Sequence, residues 1–373
     1  MKGKHLHIIS FDVPYPANYG GVIDVYYKIK ALHELGIKIH LHCFEYGRTP
    51  QKKLNEICES VNYYHRKTNK SLLFNGIPYI VLSRTDDLLL EALKKDKYPI
   101  LMEGLHSTFY LDHPELKDRV KIVRTHNVEH DYYQSLAKVE QNIFKRYYFY
   151  NEANKLQKYE SVLNQATAIA TISENDTEYF SSKYKNVTCI PAFHPNEMVD
   201  IKNGVGKYAF YHGNLAVGEN NEAALFLVND VFNDLNIPLI IAGSKPSKEL
   251  AKAVNANPKI KLLSGISTEE IYKLLNEAQV NILPTFQSTG IKLKLLAALF
   301  HGRHCIVNTP MVERTGLESL CIIADEPAAM KAALNKVIKV EVTDSEIQKR
   351  KLILEATFSN QRNAELLHRL LKI

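Results

Sequence analysis

Short apolar runs, each followed by turn residues and then by a stretch with helical periodicity, recur along the whole chain. This alternation is typical of parallel strands buried under crossover helices. The first segment of this kind predicts a strand over residues 6–11 and a helix over residues 21–35 that ends at Gly36. Further strands are predicted in the first half at residues 39–44, 100–102, 120–124 and 168–172, and residues 129–163 have room for one or two helices.

A second series of strands is predicted at residues 208–211, 239–242, 260–263, 280–283, 305–307 and 321–324. Residues 191–206, between the two series, contain several prolines and glycines and lack any hydrophobic period, so we place the domain junction there. We therefore expect an α/β protein in which two Rossmann-like, doubly wound parallel-sheet domains face a cleft. In such sheets, ligands bind at the carboxyl ends of the strands.

Composition narrows the class of protein. The chain has 373 residues, of which 45% are hydrophobic and 24% charged, as in ordinary globular proteins of two domains. Its five scattered cysteines form no C-x-x-C pair and indicate neither a disulfide framework nor a zinc site. No apolar run suggests a membrane span or a signal peptide, so we expect a cytoplasmic protein. A net charge of +6 favours anionic partners and is too small to indicate nucleic acid.

The loop between the first strand and the first helix carries two consecutive glycines, Gly20 and Gly21. Backbone amides and the positive end of a helix favour a phosphate at such a position, and glycine lets a ligand approach the main chain closely. A tight turn without a ligand explains a diglycine equally well. The loop is therefore a candidate because of its position.

Polar side chains follow two further strands of the first half. His126, Asn127 and Glu129 come directly after the strand at residues 120–124. A lone histidine is usually structural, but this density of titratable and amide groups favours a place in the cleft for His126. Glu103 ends another strand and could contact an acceptor, although a solvated loop is the simpler explanation.

In the second half, a strand and a loop lead into a helix that is predicted to begin near Ile291. Ser288 or Thr289 could cap this helix, which would leave its other amides directed at the cleft. Lys292 and Lys294 lie in its first turn, where cations are unfavourable against the helix dipole unless an anion compensates. That conflict points to a diphosphate. Two solvated lysines are the alternative, since such placement costs only about 0.3–1 kcal/mol.

Residues 144–150 interleave charged and aromatic side chains on a predicted helix. A helix that lies at a lipid surface has this composition, and packing against neighbouring helices explains the aromatic residues as well. We favour packing because the segment contains only two cations.

These segments together resemble the retaining nucleotide-sugar glycosyltransferases with the GT-B fold, in particular the large family 4, over nearly the full chain. Residues 16–21 look like that family's glycine-rich loop, and residues 125–129 look like its histidine segment. Residues 210–214 resemble the strand that opens the donor domain. The most specific segment, residues 290–302, is similar to the G-x-K-x-K helix of a subset of members. Residues 361–371 resemble the C-terminal segment that crosses back to the first domain.

The resemblance implies an acceptor-side domain over residues 1–195, a donor-binding domain over residues 196–357 and a returning helix over residues 358–373. It also implies the site residues. The catalytic set is His126, Lys292 and Lys294; the donor-binding set is Gly20, Gly21, Gly213, Asn214, Ser288, Thr289, Gly290 and Ile291; and the acceptor-side set is Asn18, Tyr19, Glu103, Asn127 and Glu129.

The chain departs from the family at two places. The family usually carries two glutamates around the second-domain helix, where this chain has Thr289 and Ala297. Usual members also place an arginine and a lysine after the strand that opens the donor domain, where this chain has Asn214 and Glu219. We expect the lysines of the G-x-K-x-K helix to supply the missing charge.

The activity implied is transfer of a hexose-type sugar from a nucleotide diphosphate-sugar to a glycan or lipid-linked acceptor, with retention of configuration, in cell-surface polysaccharide synthesis. No metal or other cofactor and no nucleic acid is expected, and contact with the inner face of a membrane is an option. A catalytically silent partner subunit is the alternative, because the glutamates are missing. A sugar-nucleotide epimerase stays open, whereas a nicotinamide-dependent enzyme is disfavoured because G-x-G-x-x-G is absent from the first strand–turn–helix.

Overall fold

The structure is a computed structural model that describes residues 4–286 and 292–372. It divides into two compact units, the first formed by Met1–Pro195 with Asn360–Ile373 and the second by Asn196–Ser359. Each unit is built on one parallel sheet, and the fold class of two Rossmann-like α/β domains is confirmed.

The first unit alternates strands and helices. Its strands are β1 (His5–Ser10), β2 (Lys38–Glu45), β3 (Ser60–His65), β4 (Ile100–Glu103), β5 (Lys121–Arg124), β6 (Ala168–Thr171) and β7 (Val187–Cys189). Its helices up to the junction are α1 (Gly20–Glu34), α2 (Tyr79–Leu82), α3 (Asp87–Lys94), α4 (Glu129–Val139), α5 (Ile143–Tyr159) and α6 (Glu174–Ser181). The sheet has the order β3-β2-β1-β4-β5-β6-β7.

The second unit follows the same plan. Its strands are β8 (Ala209–His212), β9 (Leu239–Ala242), β10 (Ile260–Leu263), β11 (Val280–Leu283), β12 (His304–Val307) and β13 (Ile322–Ile323). Its helices are α7 (Gly218–Phe226), α8 (Lys248–Asn255), α9 (Thr268–Glu277), α10 (Leu293–His301), α11 (Thr309–Val312), α12 (Pro327–Val337) and α13 (Asp344–Phe358). The order is β10-β9-β8-β11-β12-β13.

The strand order reverses between β1 and β4 in the first sheet and between β8 and β11 in the second. At such a reversal, the loops after the two strands run to opposite sides and leave a crevice at the carboxyl edge. Each unit therefore has one edge at which a ligand site is expected.

Alternate residues of β1 pack on opposite faces of the first sheet. Ile8 lies in a core with Val25 of α1 and Leu367 of the last helix, α14 (Asn360–Leu371). Ile9 lies in a second core on the other face. The side chain of Asn360 donates to the His194 carbonyl at 2.7 Å. The last helix is thus part of the first unit.

Two edge strands are not apparent from the hydrophobic pattern. β3 has the sequence SVNYYH and β7 only three residues, and each forms one edge of the first sheet. An edge strand has a neighbour on one side only, so it need not be continuously apolar. In the second unit, α10 begins at Leu293, and the caps predicted for it, Ser288 and Thr289, lie outside the described residues.

The aromatic residues of α5 do not share one environment. Tyr148 and Phe149 are half-buried, and the rings of Phe149 and Tyr133 lie 5.9 Å apart. Phe144 and Tyr147 are exposed. The expectation that packing accounts for the aromatic residues is therefore wrong for these two, because the first two turns of the helix extend beyond the neighbouring elements.

One face of the first sheet carries buried imidazoles. His7 Nδ1 lies 2.9 Å from His42 Nε2, and His42 Nδ1 lies 2.9 Å from the Tyr64 hydroxyl. His7 Nε2 also lies 3.1 Å from both carboxylate oxygens of Asp96. Burial lowers the pKa of His7 to about 4, against the opposing effect of Asp96, and burial together with His7 lowers the pKa of His42 to about 3. Both imidazoles are therefore neutral at pH 7.

These two histidines predict loss of stability in acid. An unfolded histidine has a pKa of 6.5, so below that pH the unfolded chain binds more protons than the folded protein. The stability due to the neutral imidazoles is complete above pH 6.5 and is lost as the pH falls toward 4. We expect the free energy of unfolding, measured by urea denaturation, to fall by about 2 kcal/mol per histidine between about pH 7 and pH 5.

The matched variant is His42→Gln, which keeps hydrogen-bonding groups between His7 and Tyr64 but cannot titrate. It should show a shallower dependence of stability on pH than the wild type. An equal dependence in both proteins would contradict this account.

Candidate functional site

Five ionisable side chains form a buried group at the carboxyl edge of the first sheet, which we call the charge cluster. It consists of Asp24 and Lys28 of α1, Glu103 at the end of β4, Arg124 at the end of β5, and His126. Lys28 Nζ lies 2.7 Å from Asp24 Oδ2 and 2.8 Å from Glu103 Oε2. Arg124 Nη2 lies 3.0 Å from Asp24 Oδ1, and His126 Nε2 lies 3.0 Å from Glu103 Oε2.

The charges within the cluster compensate one another. Burial alone would raise the pKa of Asp24, but Arg124 and Lys28 outweigh it and hold that pKa well below its usual range. Burial likewise opposes ionisation of Glu103, yet Lys28 and the hydrogen bond from His126 lower its pKa. Both carboxylates are therefore ionised, and each faces a cation.

The contact with Glu103 determines which ring nitrogen of His126 carries a proton. A carboxylate only accepts hydrogen bonds, so the Nε2 atom of His126 carries the proton in this contact. When the ring is neutral, Nδ1 is left as an acceptor. The side chain of His126 is 11% exposed, the most of any member of the cluster. It is the member that a ligand can reach.

Three members of the cluster also have the chemistry of metal ligands. One atom each of Asp24, Glu103 and His126 lies within 4.8 Å of the other two. The Lys28 ammonium already contacts both carboxylates. It supplies at this position the positive charge that a cation would bring.

The glycine-rich loop of the first unit is held by hydrogen bonds. The Tyr19 hydroxyl donates to Asp12 Oδ2 at 2.7 Å, and Arg48 Nη1 donates to Asn18 Oδ1 at 2.8 Å. Gly20 begins α1, and the N-terminus of this helix has no side-chain cap. A Cβ atom on Gly21 would lie 2.7 Å from the Phe11 ring. A side chain at position 21 would therefore require the Phe11 ring to move. Gly20, at the start of α1, is exposed, so its amide can be reached by an anion.

Glu129 lies at the start of α4, next to His106. Burial raises the pKa of Glu129 to about 8, so its carboxyl group is mostly protonated at pH 7 and can donate a hydrogen bond. Glu129 Oε1 lies 3.8 Å from His106 Nδ1, and within the described ranges neither atom has a hydrogen-bond partner. Asn127, predicted on the same loop, is half-buried.

Sequence reasoning missed three members of the charge cluster, namely Asp24, Lys28 and Arg124. The sequence contains features that could have identified these three residues. Asp24 and Lys28 stand one helical turn apart on the buried face of an apolar helix, and Arg124 ends an otherwise apolar strand. Charged residues at buried positions almost always have partners there.

The second unit places two lysines at the carboxyl edge of its sheet. Lys292 Nζ lies 3.1 Å from Glu219 Oε1, and Lys294 Nζ lies 2.9 Å from Asn220 Oδ1. Thr285 Oγ1 donates a further hydrogen bond to Glu219. Burial lowers the pKa of Lys294 to about 8, against the opposing effect of Glu219. In this group of described side chains, two ammonium groups face one carboxylate.

The backbone of the same edge is closely packed. A Cβ atom on Gly243 would lie 2.0 Å from the Gly213 carbonyl oxygen, and one on Gly213 would lie 3.0 Å from the Asn220 side chain. Asn214 Oδ1 accepts a hydrogen bond from Ser244 Oγ at 2.8 Å. The structure thus brings Gly213, Asn214 and the two lysines to one edge and adds Gly243, which sequence reasoning missed. The predicted residues Ser288, Thr289, Gly290 and Ile291 lie outside the described residues.

Comparison with solved structures identifies the fold. Sucrose-phosphate synthase from Thermosynechococcus elongatus superposes with a TM-score of 0.69 at 13% identity, over 99% of this chain and 98% of that chain. An α,α-trehalose-phosphate synthase (UDP-forming) from Burkholderia xenovorans, in complex with glucose-6-phosphate, gives a TM-score of 0.67 at 9% identity over the whole of both chains. The fold is that of the GT-B glycosyltransferases.

The sequence comparisons are more specific. The family model "Glycosyl transferases group 1" matches residues 206–339, a range that includes Lys292 and Lys294. A relative from Klebsiella pneumoniae, described as an uncharacterized 44.6 kDa protein in cps region, is 27% identical over 351 residues, or 88% of this chain and 89% of the relative. Together with the fold, these matches support a glycosyltransferase.

The charge cluster predicts a large difference between two lysines of the same helix. Lys28→Met leaves Asp24 and Glu103 buried without their shared cation, and we expect a loss of about 3–5 kcal/mol in the free energy of unfolding. The control is Lys30→Met, which removes a partly exposed pair with Glu34 at 3.8 Å and should cost less than about 1 kcal/mol. Chemical denaturation measures both. Similar losses in the two variants would show that the cluster does not stabilise the first unit.

Proposed function

We propose that this protein is a retaining glycosyltransferase that moves a hexose-type sugar from a nucleotide diphosphate-sugar to a glycan or lipid-linked acceptor, in the synthesis of a cell-surface polysaccharide. The observation that carries the proposal is the excess of positive charge at Lys292 and Lys294. It lies on the carboxyl edge of the second sheet, within the residues that match the glycosyltransferase family.

A diphosphate suits this edge for electrostatic reasons. Among the described side chains, Glu219 is the one carboxylate beside the two ammonium groups, so an anion that arrives there finds uncompensated positive charge. Desolvation makes Lys294 a costly cation in the free protein. An incoming phosphate would restore the favourable environment of its charge. Gly213 and Gly243 allow the main chain and the Asn220 side chain to pack closely beside the lysines. The amides of residues 288–291 are proposed as further partners of the phosphates.

The chemistry needs charge stabilisation more than acid–base catalysis. The acceptor hydroxyl oxygen bonds to the anomeric carbon on the face from which the diphosphate leaves, as the bond from that carbon to the phosphate oxygen breaks. The departing phosphate oxygen takes the hydroxyl proton, so no dedicated basic side chain is required. Lys292 and Lys294 would stabilise the negative charge that develops on the leaving diphosphate. On this proposal no metal ion is required.

In the first unit, His126 and Glu129 are the groups best suited to bind sugar hydroxyls. Glu103 accepts the hydrogen bond from Nε2 of His126, which leaves the Nδ1 side of the ring to face a ligand. The protonated Glu129 offers a donor. Together they would bind a polyhydroxylated acceptor. His126 keeps the catalytic role that the family resemblance implies for it. The Klebsiella relative supports polysaccharide synthesis through its position in a cps region.

One observation favours the silent partner subunit as a second candidate. Ala297 stands where the family that this chain resembles has a glutamate. It is buried in α10, and its side chain offers no polar atom to a ligand. Screening nucleotide sugars for protection against thermal unfolding separates the candidates, since a ligand at about 100 times its Kd adds about 2.7 kcal/mol to stability. A donor that protects the protein and is turned over supports the enzyme. Absence of both supports the partner subunit.

The lysines give the sharpest test of donor binding. We expect Lys292→Ala and Lys294→Ala each to lower kcat/KM by about 100-fold, the scale of losing one charge-stabilising group. Lys331→Ala is the control, because Lys331 lies on α12 and pairs with Asn233 and Asp234 rather than with residues of this edge. Unchanged kinetics in both site variants would reject the assignment.

Lys294 also predicts a pH dependence. With its pKa lowered to about 8, Lys294 is an ammonium ion below that pH and loses its charge above it. The value of kcat/KM reports groups of the free enzyme, so it should fall as the pH rises through about 8. Lys294→Arg keeps the charge and should move the fall to higher pH. A fall at the same pH in this variant would assign it to another group.

A further inference from the structure

The helices α4 and α5 form a hairpin whose end, residues 138–147, we call the hairpin tip. Three residues, 140–142, separate the two helices. The side chain of Asn142 accepts hydrogen bonds from the amides of Phe144 at 3.0 Å and Lys145 at 3.1 Å. The start of α5 is thus a well-capped helix, so the tip presents its side chains in a fixed arrangement.

The tip exposes apolar side chains that no other described part of the chain covers. Ile143 is 69% exposed, Phe144 87% and Tyr147 74%, and Val139 at the end of α4 is 57% exposed. Ile143 and Tyr147 stand four residues apart, so they lie on one side of the helix with Phe144 beside them. Such a concentration of large apolar residues marks an interaction surface.

Cations accompany these residues. Lys138, Lys145 and Arg146 are exposed on the tip, and Glu140 is its one acidic residue. Lys145 and Arg146 stand in the first turn of α5, where the helix dipole disfavours positive charge and where no acidic residue offsets it. The tip is therefore complementary to a surface that carries negative charge.

The hairpin starts from the carboxyl edge of the first sheet. β5 ends at Arg124 and α4 begins at Glu129, so α4 starts at the carboxyl edge of the sheet. The contact between Tyr133 and Phe149 shows that α5 returns alongside α4. The eleven residues of α4 span about 16 Å. The tip therefore lies about 16 Å along α4 from the edge that carries the charge cluster.

A lipid surface suits the tip better than a second copy of the chain. The four exposed apolar side chains offer on the order of 500 Å², less than the roughly 800 Å² per partner of a standard protein interface. Aromatic side chains beside cations at the exposed end of a hairpin are the composition of a peripheral contact with lipid head groups. Among the described residues, no helix is long and apolar enough to cross a membrane.

We propose that the hairpin tip docks on the surface of an anionic lipid bilayer. Phe144, Tyr147 and Ile143 enter the boundary between head groups and acyl chains, and Lys145 and Arg146 contact lipid phosphates. In combination with the proposed function, on which this clause rests, the acceptor is a lipid-linked glycan that reaches the first unit from the membrane.

The test is flotation of the purified full-length protein with vesicles of phosphatidylglycerol and phosphatidylcholine, compared with vesicles of phosphatidylcholine alone. We expect binding to the anionic vesicles and loss of most of it at high salt, because the charges are exposed to solvent. The double variant Phe144→Ser/Tyr147→Ser should lower the bound fraction at least about tenfold, since both anchoring side chains are removed. The charge variant Lys145→Glu/Arg146→Glu should lose binding to anionic vesicles to a similar extent.

The matched control is Leu352→Ser, which removes an apolar residue, 75% exposed, from α13 of the second unit. It should bind vesicles as the wild type does, and all variants should keep the wild-type unfolding temperature. Equal binding by the wild type and the Phe144→Ser/Tyr147→Ser variant would overturn the proposal. A wild-type dimer that this variant converts to a monomer would overturn it in favour of a protein interface. Nucleotide protection of the wild type, measured without vesicles, reports on the proposed function alone.

Discussion

The compensation of buried charge is the constraint on which both candidate sites depend. In the first unit, Asp24 and Glu103 face Lys28 and Arg124 at 2.7–3.0 Å, so the charges balance within the protein. In the second unit, Lys292 and Lys294 have one nearby carboxylate among the residues that the structure describes, namely Glu219. A balanced group needs no ligand, whereas an excess of one sign inside a protein is costly unless the charged group gives up its proton or an ion from outside the chain offsets it.

This difference assigns separate tasks to the two units. The balanced cluster is scaffolding: it ties α1 to the ends of β4 and β5 and leaves His126 as its accessible member. On the proposed function, the unbalanced edge is the place where an anion would bind. The family model matches the unit with the unbalanced edge, residues 206–339, and it is there that a nucleotide diphosphate would bind. Acceptor recognition would fall to the first unit, where Glu129 and His106 keep atoms that no described residue satisfies.

Much of the fold could be predicted from the sequence, because a parallel strand covered on both faces must be apolar almost throughout. The runs at Leu6, Leu101 and Ile282 are of this kind. The features that the sequence does not predict also have physical causes. β3 and β7 are edge strands with weak patterns, and the exposure of Phe144 depends on where a long helix leaves its neighbours. The composition of a helix does not reveal where it ceases to pack against its neighbours.

The sequence predicts where the candidate sites lie better than it predicts which residues interact within them. His126, Gly213 and Lys294 could be found because each stands just beyond a strand or at the start of a helix. The partners that determine their chemistry, Glu219 and Lys28, become neighbours only through the packing of helices on the sheet. Pairing between residues distant in the chain leaves no mark in a single sequence. A charged residue on an otherwise buried helix face is the nearest substitute for that information.

The most direct measurement is the position of a nucleoside diphosphate in crystals of the full-length protein soaked with UDP or GDP. The account predicts that the phosphates lie within hydrogen-bond distance of Lys292 or Lys294, beside Gly213 and Gly243. Phosphate density at any other place, with Lys292 still bound to Glu219 and Lys294 still bound to Asn220, would contradict it.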